Sequence, residues 1–155
     1  MNNYMTLEIA AIGTNEAFAR STVAAFALSL NPSLSELSDV KTAVSEAVTN
    51  CIVHAYAGEE GKDGGNNSIT IECRAEGDLV GGVLHIEVTD HGCGIEDVEK
   101  ALQPFYTTRS EEERSGMGFT IMQTFTDGFS VTSEKGKGTK IVMSKRIGAK
   151  DGCDA

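Results

Sequence analysis

VSEAVTNCIVHAY, Val44 to Tyr56, is the stretch on which the fold turns. Glu46 and Asn50 stand one helical turn apart in it, with Thr49 between them. At about 100° per residue, Leu37, Val40, Val44, Ala47, Val48, Cys51 and Ala55 gather into one apolar stripe. That periodicity predicts a helix from about Leu34 to Tyr56, laid on a sheet. Glu46 lies roughly opposite the stripe, and Asn50 is well off it. Asn inside a helix competes with the backbone for hydrogen bonds, so helix formation does not call for it. Either this face is solvated or it lines a pocket. Ala43 and Val53 share it, so it is not simply polar.

Working outward, Tyr4–Ile12 reads as a first strand. Asn15 is placed to cap a first helix running to about Leu30, with Phe18, Thr22, Val23, Phe26 and Leu30 on one face. Asn31-Pro32 breaks it. After the second helix, GEEGKDGGNN (Gly58–Asn67) has the composition of a surface loop. Ser68–Ala75 and Val83–Thr89 alternate as strands joined through EGDLVGG. Asp90–Gly116 is long and polar, with a short helical stretch near Ile95–Leu102, and loops of such length in a compact domain are usually functional. A helix over about Met117–Phe125 and a last hairpin, Phe129–Ser133 with Thr139–Ser144, complete the order. Hairpin-connected strands with helices on one face predict an α+β two-layer sandwich with a mixed, mostly antiparallel sheet. One domain is expected over residues 1–146, with a loose tail over 147–155.

Composition narrows the function. The chain has 155 residues, 40% hydrophobic and 23% charged, which suits a single globular domain. A net charge of −10 argues against nonspecific binding to nucleic acid or anionic membranes. Cys51, Cys73, Cys93 and Cys153 show neither CxxC pairs nor His at metal-ligand spacing, so reduced thiols in a cytoplasmic protein are expected. No basic, apolar leader opens the chain and no run of about 18 apolar residues interrupts it, so a secreted or membrane-spanning protein is not expected.

Three glycine clusters complete the pattern. DHGCGIE (Asp90–Glu96) follows the strand LHIEVT, and Asp90 shares the parity of Leu84, Ile86 and Val88, so its carboxylate starts on the buried side. A buried carboxylate needs a partner, and an exocyclic amine such as that of adenine would serve. Gly92 and Gly94 let the backbone bend and a flat ligand approach. RSGMGF (Arg114–Phe119) opens a helix, whose unpaired N–H groups at Gly116 and Gly118 make a phosphate site to which Arg114 adds charge. GKGTKI (Gly136–Ile141) sets Thr139 at the start of a strand, where its hydroxyl would back up Asp90. Each cluster has a plain reading as a turn or a hinge. Their order, E-x-x-x-N, D-x-G-x-G, G-x-G and G-x-G-T, is far more specific than any one of them.

That order resembles the GHKL superfamily of ATP-binding domains, which includes gyrase and the histidine kinases, over nearly the whole chain. NEAFAR, VSEAVTN, QPFYTT and ERSGMGFTIM are most similar to the stand-alone anti-sigma serine kinases of endospore-forming bacteria, the branch acting on a sigma factor of the sigma-F type. The resemblance implies ATP/ADP and Mg²⁺ as ligands, with Asn50 on Mg²⁺, Glu46 as general base and Thr49 beside it. It implies Asp90 on the adenine amine with Thr139, Gly92 and Gly94. It places Arg114, Ser115, Gly116, Met117 and Gly118 on the phosphates, with an ATP lid over about 91–116. Its partners would be a sigma factor and an anti-anti-sigma protein that accepts phosphate on serine, and it would be a homodimer that touches neither nucleic acid nor membrane. Arg20, beside Ala17, Ser21, Ala24 and Leu28, is the candidate docking residue. The phospho-acceptor His domain of a histidine kinase is not in these residues, so the acceptor is expected on another protein. The alternatives are a general-stress anti-sigma kinase and a nucleotide-gated binding module without catalysis. The long Gly58–Asn67 loop and Cys93 depart from the branch, and neither is a motif residue.

Overall fold

The structure, a computed structural model, describes residues 2–56, 67–103 and 118–148. In chain order these form β1 (Asn2–Ala10), α1 (Asn15–Ala27), α2 (Leu34–Asn50), β2 (Ser68–Asp78), β3 (Gly81–Asp90), α3 (Val98–Ala101), α4 (Gly118–Phe125), β4 (Gly128–Glu134) and β5 (Gly138–Ile147). A 3-10 turn over Leu28–Leu30 follows α1, and a π-helical turn over Cys51–Ala55 follows α2. The strands make one sheet in the order β1-β2-β3-β5-β4, and each neighbouring pair is antiparallel. This is the expected α+β architecture, with an antiparallel rather than a mixed sheet.

The period-2 pattern sets the sheet's inner face. Ile69, Ile71 and Cys73 of β2 and Leu84, Ile86 and Val88 of β3 are buried, while Glu72, Arg74 and Glu76 between them are exposed. One face therefore meets the helices and the other meets water. Each fully buried Ile or Val on the inner face stabilises the fold by about 1.5–3 kcal/mol. The β2–β3 hairpin is tighter than expected. Asp78 pairs with Gly81 across a two-residue turn, and its carboxylate accepts the Val80 N–H at 2.9 Å.

α2 starts on a capping box. Ser33 Oγ accepts the Glu36 N–H at 3.1 Å, and Glu36 Oε1 accepts the Ser33 N–H at 2.8 Å. Caps of this kind are worth about 1 kcal/mol. The predicted stripe is buried from Val40 through Ala55, and Leu37 packs on its edge. α1 and α4 pack against α2, which makes it the centre of the helical layer. Ala43, on the face shared with Glu46, is therefore fully buried, and Glu46, Thr49 and Asn50 are half-buried rather than solvated.

α1 departs from expectation. Ala19, Val23, Ala24, Ala27 and Leu30 are buried, whereas Phe18 is 52% exposed. The alanines let α1 approach its neighbours closely, so methyl groups rather than the Phe18 ring face inward. Asn15 is the first helical residue rather than the cap, and its side-chain amide donates to the Ala10 carbonyl at 2.9 Å. β1 ends there, two residues before the expected Ile12. Of the expected loop over 58–67 only Asn67 is described, and of the expected tail over 147–155 only Ile147 and Gly148. These last two are not loose, since Ile147 ends β5 fully buried and the Gly148 N–H donates to the Glu36 carboxylate. No helix among the described residues is long and apolar enough to cross a membrane.

Candidate functional site

β3 delivers Asp90 to the inner face of the sheet, as its parity requires, and the side chain is 4% exposed. Its register partner on β5 is Thr139. The Gly92 N–H donates to Asp90 Oδ1 at 2.9 Å. The nearby Thr139 N–H and Cys51 thiol also favour the charged carboxylate. Burial outweighs these donors and holds the Asp90 carboxyl above its ordinary value. Burial first, and then the Asp90 charge, push the Cys51 thiol well up, so it stays protonated and remains a donor.

Ser133 orders the other side of this floor. Its hydroxyl accepts the Ile95 N–H at 2.7 Å and donates to the Gly138 carbonyl at 2.9 Å. It also lies 2.8 Å from the Thr139 hydroxyl. With the Ser133 proton on Gly138, Thr139 must donate to Ser133, which leaves the Thr139 oxygen as an acceptor.

The loop after Asp90 is pinned from two directions. A Cβ on Gly92 would come 2.1 Å from the Ala55 carbonyl oxygen, so only glycine permits this approach. Gly94 takes a left-handed φ of 74°, and a Cβ there would meet the Glu134 carbonyl at 2.1 Å. The Gly136 N–H closes the contact by donating to the Cys93 carbonyl at 2.6 Å.

The other wall belongs to α2 and α4. A Cβ on Gly118 would stand 3.1 Å from Asn50 Oδ1 and 3.5 Å from Glu46 Oε2. The start of α4 is thus set against the carboxylate and amide of α2. Phe119 anchors that end on Phe129 of β4, with ring centroids 6.0 Å apart. Between floor and wall lies a cavity of about 740 Å³, lined by Asn50, Asp90, Gly94, Ile95, Phe119 and Thr139 among others. That volume suits a nucleotide-sized ligand. Glu46 stands beside that cavity rather than in its lining, and it lines a second hollow of about 240 Å³ with Arg20, Lys41 and Ser45. Arg20 pairs with Glu16 one turn away.

The structure therefore brings together Glu46, Asn50, Asp90, Gly94, Gly118 and Thr139, with Thr49 half-buried on α2 and Gly92 beneath the loop. Arg20 lies off that cavity, in the smaller hollow that Glu46 shares. Arg114, Ser115, Gly116 and Met117, and the lid beyond residue 103, lie outside the described residues. Sequence reasoning missed several residues of the cavity wall. His54 had no pattern to set it apart from a packing residue, and Lys100 and Lys135 had none to set them apart from solvated surface. Cys51 was read only as core. It is core, and it also touches Asp90.

Asn50 Oδ1 is a hard oxygen donor, the chemistry Mg²⁺ prefers, set with the Glu46 carboxylate against Gly118. Among the described residues no group of three or more His, Cys, Asp or Glu could hold a metal. An ion arriving with phosphates needs only one or two protein oxygens, so the residues present fit Mg²⁺ carried by a nucleotide.

Comparison with known proteins follows the same lines. A family model described as the histidine kinase-like ATPase domain matches residues 10–145. An anti-sigma F factor of Caldanaerobacter subterraneus subsp. tengcongensis is 54% identical over 147 residues, covering 95% of this chain and 96% of its own. One from Clostridium botulinum strain Eklund 17B is 52% identical over 145 residues, covering 94% and 95%. Among solved structures, the RsbU and RsbW domains of a Mycobacterium tuberculosis protein match with a TM-score of 0.65 at 17% identity, over 94% of this chain and 32% of that one. A mycobacterial sensor histidine kinase, MprB, matches at 0.53 and 13% identity, over 94% of this chain and 98% of its own. At such identities the structural likeness speaks to the fold alone.

Proposed function

The chain belongs to the histidine kinase-like ATPase domain family, and from that premise we propose that it is an ATP-dependent anti-sigma kinase. It binds and inhibits a sigma factor of the sigma-F type, as its relatives' names indicate for them. It also phosphorylates a serine of the anti-anti-sigma protein that competes for it. The observation that carries this reading is the convergence of Glu46, Asn50 and Gly118 beside a cavity floored by Asp90 and Thr139.

The roles follow from placement. Asp90 accepts the adenine amine, and Thr139 offers its oxygen to the same base or to a bridging water. Gly92 and Gly94 keep the loop low enough for the ring to lie against it. The start of α4 and the segment before it, with Arg114, Ser115, Gly116 and Met117, hold the phosphates. Asn50 holds Mg²⁺, which when bound neutralises phosphate charge. Glu46 takes the proton of the incoming serine hydroxyl while the Oγ–P bond forms and the bond to ADP breaks. Thr49, next to Asn50, steadies the base through hydroxyl or water contacts. Such transfer is mainly positioning and charge stabilisation, so these few parts suffice.

Asn50→Ala is expected to remove the gain in ATP affinity that Mg²⁺ gives the wild type, by about tenfold or more. Calorimetric titrations with and without Mg²⁺ measure it, and an unchanged Mg²⁺ dependence would count against the ligand role.

The partners meet the kinase as a homodimer, near the hollow that joins Arg20 to Glu46. Gel filtration with ATP is expected to show the sigma factor co-eluting with the kinase, and Arg20→Glu is expected to release it. Co-elution unchanged by that charge reversal would end the docking role of Arg20.

A further inference from the structure

The π-helical turn Cys51–Ala55 ends at Tyr56, which is buried yet does not line the cavity. Its hydroxyl donates to the Ser68 carbonyl at the start of β2 at 2.7 Å. The same oxygen accepts the His91 N–H at 2.8 Å. One residue back, the Ala55 carbonyl accepts the Cys93 N–H at 2.8 Å. Ala55 sits at the end of the helical run, where carbonyls lack partners further along the helix, and Cys93 supplies the missing donor. His91 and Cys93 flank Gly92, which lies under the same carbonyl. Residues 91–93 are therefore fastened at both ends to Ala55 and Tyr56, at the close of the π-helical turn that follows α2, directly after the carboxylate that floors the cavity.

We infer that Tyr56 is a positioning residue for adenine recognition, a strut that fixes the chain leaving Asp90 so that the carboxylate is aimed before the nucleotide arrives. This rests on the reading that Asp90 takes the adenine amine. A hydroxyl is required because the position must both donate, to Ser68, and accept, from His91. Burial pushes the Tyr56 phenol up, which keeps it neutral and able to do both. A site ordered in advance spends none of its binding energy on ordering the loop. The strut also ties the helix bearing Glu46 and Asn50 to the loop that holds the base. Adenine and the reacting phosphate are thereby referenced to one element.

The test compares Tyr56→Phe with wild type in titrations against ATP and ITP, whose base carries a carbonyl in place of the 6-amino group. ATP affinity is expected to fall about tenfold, from the loss of one buried hydrogen-bond partner. ITP affinity should change far less, so the preference for ATP shrinks. Equal weakening of both nucleotides, or an unchanged ATP affinity, would overturn the proposal while leaving Asp90's role standing. A wild type with no preference for ATP over ITP would overturn the Asp90 reading, and the strut with it. Amide hydrogen exchange on nucleotide-free wild type gives a second measure that needs no variant. The His91 and Cys93 amides should exchange as slowly as those of β3, and rapid exchange at both would equally overturn the proposal.

Discussion

Glu46→Gln is expected to abolish phosphate transfer to the partner serine and to leave Mg·ATP affinity at the wild-type level. The substitution keeps the size and the hydrogen-bonding reach of the side chain. It removes the charge and the capacity to take a proton, and turns one acceptor oxygen into a donor. A positioned general base contributes about 10²–10⁴-fold to such a step, so transfer should fall by that factor. Binding should survive because the adenine floor at Asp90 and Thr139 is built by β3 and β5, away from Glu46. The neighbouring Gly118 packs on carboxylate and carboxamide alike. Single-turnover transfer measured beside calorimetric ATP binding separates the two effects. Loss of both together would sink the assignment of Glu46 as the base.

Asp90→Asn should do the opposite, weakening ATP binding by about ten- to hundredfold. The carboxylate already accepts the Gly92 N–H, and the Thr139 N–H and the Cys51 thiol nearby favour its charged form. An amide replaces one acceptor oxygen with a donor, so one of these groups or the adenine amine loses its partner. The wild type should show a matching pH dependence. Burial raises the Asp90 carboxyl, so in the free protein it takes up a proton at a higher pH than an exposed aspartate does. The protonated form is the poorer acceptor. ATP affinity should therefore be full above the raised value and decline on acidification before an ordinary carboxylate would titrate. For stability the sign is reversed. The buried charge is a cost to the nucleotide-free fold, absent below the unfolded value and fully present above the raised one. Nucleotide titrations across mildly acidic pH check this. An affinity flat through that range in the wild type, or a decline that persists in Asp90→Asn, would count against Asp90 as the titrating acceptor.

The parts of this site that were legible in the sequence are those set by local periodicity. Strand parity alone put Asp90 on the inner face. Helical spacing alone put Glu46 and Asn50 on a common side of α2. Whether that side met water or a pocket was not legible, because the answer lies in α4, far along the chain, packing against α2. The same limit explains α1. A stripe chosen by residue size favoured Phe18, but close packing favoured the alanines. The π-helical turn had no signature at all. Cys51–Ala55 continues the apolar period of α2, and only the contacts of Ala55 and Tyr56 with His91 and Cys93 show what the altered turn accomplishes. Ser133 was read as a strand residue, and nothing in its neighbourhood pointed to Ile95 and Thr139.

The central claim is that this chain transfers the terminal phosphate of ATP to a serine on a separate protein. Incubation of the wild-type kinase with γ-labelled ATP, Mg²⁺ and the anti-anti-sigma protein from the same genome tests it most directly. The account predicts label on one serine of that protein. Absence of label on it and on a second candidate acceptor, with tight Mg·ATP binding intact, would contradict the account and leave a nucleotide-gated clamp in its place.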